Sequence, residues 1–423
     1  MTTPLLTPRS GLPELIVDEV GFLAALAELK EGDGPIAIDA ERASGYRYSQ
    51  RAYLIQIFRR GGGLHLIDPI AVSDPALWEQ LDSAFKECEW IIHASTQDLP
   101  CLRELGISPA ILFDTELGGR IAGCERVGLG PLCEALLDIQ LAKEHSAVDW
   151  SIRPLHEDWL NYAALDVDVL IDLRDAVAEL LEESGKLSWA LEDFAQILQN
   201  PPAPPRVDPW RRTSGMHKVR DRMTLAIIRS LWYARDEYAR EVDIAPGRIF
   251  NDEALVEVAT KRPANVNDFA KIIKRRSRFQ DLPTTEWFSI LQSTLALAED
   301  ELPIVRTPSV GLPPVKVWKD RNPLGHARLS HARAAVIARA HELEMPVENL
   351  ISPDVLRQLV WKNPPASELE NYIHQTLINA GARPWQADQI IPILVEPVLA
   401  TEPLPPPPEP EPDPEQLPAD STE

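Results

Sequence analysis

The chain has 423 residues with 44% hydrophobic content, enough for roughly two to four domains with cores of their own. A formal net charge of −23 excludes a protein that coats nucleic acid over its whole surface, though not one with local basic patches. The four cysteines Cys88, Cys101, Cys124 and Cys133 form no CxxC pair, which argues against a disulfide frame or a zinc site. With no signal-like segment and no run of about 18 apolar residues, the expectation is a cytoplasmic protein with no membrane partner.

In chain order, residues 1–18 read as a loose N-terminal arm. VGFLAALAEL (20–29) has helical spacing, and PIAIDAE (35–41) is a short apolar run ending in acids. YLIQIF (53–58) and LHLID (64–68) read as strands joined across Gly61-Gly62-Gly63, which fits a hairpin, and WIIH (90–93) reads as a buried strand. Helices follow, the last a long one from about Leu155 to Glu183. This mixture predicts an α/β domain over 19–205, a mixed sheet flanked by helices. NPPAPP (200–205) is a stiff linker. A helical block over 206–300, a Pro-rich linker over 301–315 and a second helical block over 316–400 follow. Both blocks run from a long helix to a short one, as degenerate copies of one module would. Residues 401–423 carry Pro, Glu and Asp with no base, and such a tail is expected to be disordered.

Three segments carry candidate chemistry. In IAIDAE, Asp39 and Glu41 are two apart on a strand and share a face. Two adjacent carboxylates repel, and a divalent cation resolves the conflict. The plain alternative is a strand edge with two solvated acids. In HASTQDLPCL (93–102), a strand ends at His93 and Asp98 stands near the first turn of a helix. There Asp98 could simply complement the helix dipole, and His93 is more simply a satisfied core histidine than a ligand. In WLNYAALDVDVLIDL (159–173), Tyr162 and Asp166 are four apart on one helix face, while Asp168 and Asp172 share another. Taken alone, Tyr162 reads equally as half-buried packing. Lys143 and Arg153 are open to substrate phosphate or to loop packing with Asp149 and Trp150, and Gln56 to lining the groove or to strand packing.

Together the segments say more. The stretches IDAERASGYRYSQRAYLIQIF, LHLIDP, IIHASTQDLPCL, FDTELGGRIAG and DWSIRPLHEDWLNYAALDVDVLIDL resemble, in sequence order, the DEDD exonuclease superfamily in its tyrosine-containing subclass. Within it they most resemble the bacterial ribonuclease D family, over roughly residues 20–200. The first helical block resembles the HRDC module that follows the nuclease domain in that family, and the second a more divergent copy. The resemblance implies an α/β ribonuclease H-like exonuclease domain followed by all-α HRDC-like helical domains. It implies a 3′–5′ exoribonuclease that releases nucleoside 5′-monophosphates, acting on the 3′ ends of transfer RNA precursors or other structured RNA. It also implies two divalent metal ions, Mg²⁺ or Mn²⁺, which suit an all-carboxylate site. By position, Asp39 and Glu41 match the first motif's acids, Asp98 the second's, and Tyr162 and Asp166 the third's. The four carboxylates would then hold metal, and Tyr162 would orient the attacking water. A DNA-directed exonuclease and a catalytically silent nucleic-acid-binding scaffold are the alternatives, and the intact acids and Tyr162 argue against the scaffold.

Two basic clusters oppose the global charge, RVDPWRRTSGMHKVRDR (206–222) and KIIKRRSRF (271–279). The second holds Lys271, Lys274, Arg275, Arg276 and Arg278 and is the candidate nucleic-acid-binding patch. A solvated helix face is its plain alternative.

Overall fold

The computed structural model describes residues 2–142, 148–202, 204–279, 281–305, 311–362, 364 and 366–405. Contacts divide the chain into two compact units, residues 1–308 and 309–423. The first unit opens with β1 (Thr3–Leu5), β2 (Leu15–Ile16), α1 (Glu19–Glu31), β3 (Asp33–Arg42), β4 (Ala52–Arg60) and β5 (Gly63–Ile67). Next come α2 (Pro75–Ala84), β6 (Glu89–Ile92), α3 (Leu99–Glu104), β7 (Ile111–Asp114), α4 (Thr115–Ala122), α5 (Leu129–Leu136) and β8 (Ile139–Leu141). The α/β part closes with α6 (Glu157–Asp168), α7 (Leu170–Glu183) and α8 (Leu187–Gln199).

Six strands form one mixed sheet in the order β2-β5-β4-β3-β6-β7. The β3–β4 and β4–β5 pairs are antiparallel, and β3–β6, β6–β7 and β2–β5 are parallel. The apolar run Ile36-Ala37-Ile38 sits in the central strand and is wholly buried, as a strand covered on both faces must be. The hairpin expected between β4 and β5 is present, with Gly61 and Gly63 at φ 74° and 82°, a backbone region costly for any side chain. Helix α1 starts at Asp18, whose carboxylate caps Gly21 N at 2.8 Å. Helix α6 packs on β3, β4 and β5, α7 on β3 and β6, and α8 on β7.

Two expectations need correction. The arm at 1–18 is not loose: β1 pairs in parallel with β8, and β2 with β5. Strands of three and two residues are too short to show a period in sequence. The long helix from about Leu155 is two helices that meet at Val169. At the junction the carbonyl of Asp168 accepts from the guanidinium of Arg9, a partner distant in sequence.

The rest of the first unit is helical: α9 (Arg222–Glu241), α10 (Pro246–Ile249), α11 (Asp252–Lys261), α12 (Val266–Lys274) and α13 (Thr284–Leu295). They close over a core that includes Leu231, Phe250, Phe269 and Trp287. The second unit repeats that succession with α14 (Trp318–Arg321) placed before it. Its members are α15 (Pro323–Glu342), α16 (Val347–Leu350), α17 (Pro353–Trp361), α18 (Leu369–Asn379) and α19 (Pro384–Leu394). Helices α9 and α15 both have 20 residues, and α10 and α16 both have 4. The tail expected beyond residue 401 lies outside the described residues from 406 onward. Among the described residues no helix is long and apolar enough to cross a membrane.

Candidate active site and metal centre

Strand β3 delivers Asp39 and Glu41 to one face of the sheet, and α6 crosses that strand carrying Tyr162 and Asp166. One oxygen each from Asp39, Glu41 and Asp166 lies within 4.8 Å of the others. Asp98 arrives on the turn after β6. It shares a hydrogen bond with Asp39 and stands 3.4 Å from an Arg42 guanidinium nitrogen. Tyr162 hydrogen-bonds Asp166 one helical turn further on. All five sequence-predicted residues line a single cleft of about 550 Å³.

The turn that carries Asp98 is held from below by Asp114 at the end of β7. This buried carboxylate accepts from Ala94 N at 3.2 Å, Ser95 N at 2.8 Å and Ser95 Oγ at 2.7 Å. It also caps α4 through Glu116 N and Leu117 N, both at 3.0 Å. Ala94 takes a left-handed conformation, φ 55°, which turns the chain from β6 toward the cleft. Sequence reasoning missed Asp114 as a site-building residue. Its signal was a strand ending in Asp-Thr-Glu, a helix cap aimed at a neighbouring loop. Arg42 was missed too, although a cation directly after Glu41 is where a crowded set of acids would be balanced.

The electrostatics of the cluster point to a cation. Burial pushes all four carboxyl groups above the usual carboxylate range, with Asp98 up to about 8. Neighbouring negative charge adds to this at Glu41, Asp98 and Asp166, while Arg42 opposes it at Asp39, Glu41 and Asp98. A hydrogen bond between two carboxyl groups needs a proton, which Asp98 and Asp39 share. Four oxygen donors that resist ionising together fit a hard divalent cation, which replaces the proton and neutralises the repulsion. The phenol of Tyr162 is pushed above its ordinary range by burial and by the charge of Asp166.

The remaining candidates divide. His93 lines the cleft, but its Nδ1 is engaged by Thr115 Oγ1 at 2.9 Å and burial pulls its pKa down to about 4, so it is a satisfied neutral histidine. Gln56 is wholly buried opposite Asp39 in the β3–β4 register and packs within the sheet. Arg153 forks onto buried Asp68 at 2.6 and 2.8 Å and donates to the carbonyls of Trp150 and Tyr53. It therefore locks the loop ahead of α6, with Asp149 accepting from Ser151 and Trp150 edge-on to Trp159. Lys143 lies outside the described residues.

The basic patch lies on the helical block, and much of its charge is already matched. Lys271 pairs with Asp268 at 2.9 Å, Arg275 with Glu257 at 2.7 Å, and Arg276 with Glu253 and Glu257. Lys274 and Arg278 are exposed, with no ion-pair partner among the described residues.

Comparison with known proteins gives the arrangement its family. A family model described as a 3′–5′ exonuclease matches residues 13–182, and the HRDC domain model matches 224–287. A model described as the C-terminal domain of a 3′ to 5′ exonuclease matches 311–398. Ribonuclease D of Gluconacetobacter diazotrophicus is 30% identical over 274 residues, covering 63% of this chain and 68% of that protein. Ribonuclease D of Granulibacter bethesdensis is 32% identical over 282 residues, covering 62% and 67%. The chain belongs to the ribonuclease D family. As a ribonuclease D it is a 3′–5′ exoribonuclease, with RNA as its substrate and divalent metal in its chemistry. A solved protein from Bifidobacterium adolescentis is 37% identical, covers 94% of this chain and all of that one, and superposes with a TM-score of 0.86. Ribonuclease D of Escherichia coli, an exoribonuclease involved in structured RNA processing, shares the fold at 23% identity. It covers 88% of this chain and 99% of that one, with a TM-score of 0.61.

Proposed function

We propose that this ribonuclease D trims RNA one nucleotide at a time from the 3′ end, releasing nucleoside 5′-monophosphates, with transfer RNA precursors among its substrates. The observation that carries the reading is the convergence of Asp39, Glu41 and Asp166 within 4.8 Å, with Asp98 bonded to Asp39. Asp39, Glu41, Asp98 and Asp166 hold two divalent ions, Mg²⁺ or Mn²⁺. When bound, these ions activate water and stabilise charge on the leaving oxygen. Asp39, close to Glu41 and Asp166 and bonded to Asp98, would supply a carboxylate shared with each of the other three acids in holding the metal. Tyr162 positions the attacking water through its hydroxyl. A phenol held above its ordinary range is no base at neutral pH, so its part is orientation. Arg42 keeps Asp98 turned toward Asp39. Lys274 and Arg278 lead the RNA grip of the helical block. Lys271, Arg275 and Arg276 contribute as far as phosphate competes with their acidic partners. In domain terms the nuclease occupies 19–205, the HRDC module 206–300 and a divergent second copy 316–400.

The test is a 3′-end-labelled RNA with Mn²⁺. Labelled nucleoside 5′-monophosphate is the expected product. Asp39→Ala, Glu41→Ala, Asp98→Ala and Asp166→Ala should each lower the rate by roughly 10²–10³-fold or more with the fold intact. EDTA should abolish cleavage. EDTA-resistant hydrolysis, or a fully active Asp39→Ala, sinks the reading.

A further inference from the structure

The exonuclease family model begins at residue 13, yet the chain ahead of it is built into the site. Strand β1 runs parallel to β8 with Thr3 opposite Ile139 and Leu5 opposite Leu141, and Thr3 N donates to Asp138 O at 2.7 Å. Leu141 and the next residue, Ala142, line the catalytic cleft. The arm then crosses to α6, where Asn161 Nδ2 donates to Leu6 O at 2.7 Å. It is fixed at the end of that helix by Arg9. The main-chain nitrogen of Arg9 donates to Asp168 Oδ2 at 3.1 Å, and its guanidinium donates to Asp168 O at 3.3 Å and to Asp172 at 2.6 Å. Asp168 is 3% exposed. It lies two residues beyond Asp166, at the corner where α6 gives way to α7. Asp172 is also held by Arg60 at 2.7 Å, which ties the corner to β4, the partner of the strand that carries Asp39 and Glu41.

We propose that the N-terminal arm, residues 3–9, is a positioning element of the active site, with Arg9 setting the α6–α7 corner so that Tyr162 and Asp166 meet the carboxylates of β3. The proposal rests on the reading that Tyr162 and Asp166 act in the cleft. The physical need is clear. Groups on two different elements must stay aligned to within roughly 0.5 Å, and misplacement by about 1 Å can cost on the order of 10²-fold in rate. Arg9 grips the last turn of α6 by taking both the side chain and the carbonyl of Asp168. The same arm stiffens one rim of the cleft through β8.

The test compares Arg9→Ala, Arg9→Lys and a deletion of residues 2–10 with the full chain, using a short single-stranded RNA and Mn²⁺. Turnover, KM and Mn²⁺ affinity by calorimetry are measured well below the melting temperature, which is recorded for each variant. Arg9→Ala is expected to lose about tenfold in kcat with KM for RNA unchanged and Mn²⁺ affinity lowered. Arg9→Lys keeps a charge for Asp172 and the main-chain bond to Asp168, and should fall in between. The deletion should be at least as slow as Arg9→Ala. If Arg9→Ala does not fold, Arg9→Lys decides on the same readings. A variant with lower melting temperature but wild-type kcat and Mn²⁺ affinity overturns the proposal, leaving the arm a stabilising strap. A raised KM with unchanged kcat also overturns it, because the arm would then touch RNA. Asp166→Ala run alongside separates the two readings. If Asp166→Ala is fully active the cleft assignment fails, and if it is inactive while Arg9→Ala is normal, only the arm's role fails.

Discussion

At the scale of single residues, the site combines groups that oppose one another until a cation arrives. Tyr162 is the sharpest case, because its hydroxyl both bonds Asp166 and lines the cleft. Tyr162→Phe keeps the ring and removes only the hydroxyl. If that hydroxyl orients water, kcat should fall on the order of 10²-fold with RNA affinity unchanged, whereas a packing tyrosine would tolerate Phe nearly silently. Single-turnover rates beside equilibrium binding distinguish these outcomes. Asp98 gives a second prediction, for the protein stripped of metal. Its carboxyl stands at about 8 in the folded chain against 3.8 for the ordinary side chain. Over that window the folded state keeps a proton that the unfolded chain has released. The group's contribution to stability is therefore full below about pH 4 and is lost as pH rises through about 8. Urea unfolding in EDTA should show stability falling from about pH 5 to about pH 8, and Asp98→Asn should lessen that fall, leaving the part due to the raised carboxyl groups of Asp39, Glu41 and Asp166. Added Mn²⁺ should restore stability at the alkaline end and release protons on binding, since it displaces the one held between Asp39 and Asp98. A metal-free protein whose stability rises steadily with pH would contradict this account.

At the scale of elements, the loop ahead of α6 sets where the third motif begins. Arg153 is its anchor, forked onto Asp68 at the end of β5. Asp68 is 3% exposed, so Arg153→Ala leaves a buried carboxylate without its cation. The expected loss is on the order of 3 kcal/mol, discounted toward the lower side because Arg153 itself is partly exposed. Equilibrium urea unfolding measures it, and a change below about 0.5 kcal/mol would return Arg153 to the surface residues open to RNA phosphate. The elements that sequence made legible were those with a local pattern. The acids of β3 share a face at a spacing of two, Tyr162 and Asp166 share one at four, and three glycines mark the hairpin. What was not legible depended on partners far along the chain. The corner at Val169 is held by Arg9, which is 159 residues from Asp168 in sequence. Asp114 reads as an ordinary helix cap until Ala94 and Ser95 are folded over it. The five charges of the basic patch were legible as charges, but the acids on α11 that answer Arg275 and Arg276 belong to a different helix.

At the scale of the molecule, the HRDC module is docked onto the nuclease domain through the loop that follows β3. Ser49 N donates to Asp243 at 2.8 Å, Tyr48 bonds Asp236, and Arg248 donates to Gly45 O at 2.7 Å while lying over the Tyr46 ring. RNA bound on this module, as proposed, would be held at a fixed place relative to the cleft. The chain as a whole carries −23, so that hold must come from cations not already answered by protein acids. Lys274 and Arg278 meet this condition. For Lys271, Arg275 and Arg276 a phosphate must first displace a carboxylate, so no net counterion need be released. Changing Lys274 and Arg278 together to Gln should weaken binding of a structured RNA and reduce the slope of log affinity against log salt by roughly two units, about one per lost phosphate contact. Changing the other three should move the slope by less than one unit each, although each exposes an acid that repels RNA. Turnover of a short saturating oligonucleotide should stay constant in all of these variants, because Asp39, Glu41, Asp98 and Asp166 lie in the nuclease domain. Filter binding across a salt series decides the matter. A slope unchanged by Lys274→Gln and Arg278→Gln would make the patch a solvated face and move the grip to the basic segment at 206–222, where Arg212, Lys218 and Arg220 are exposed.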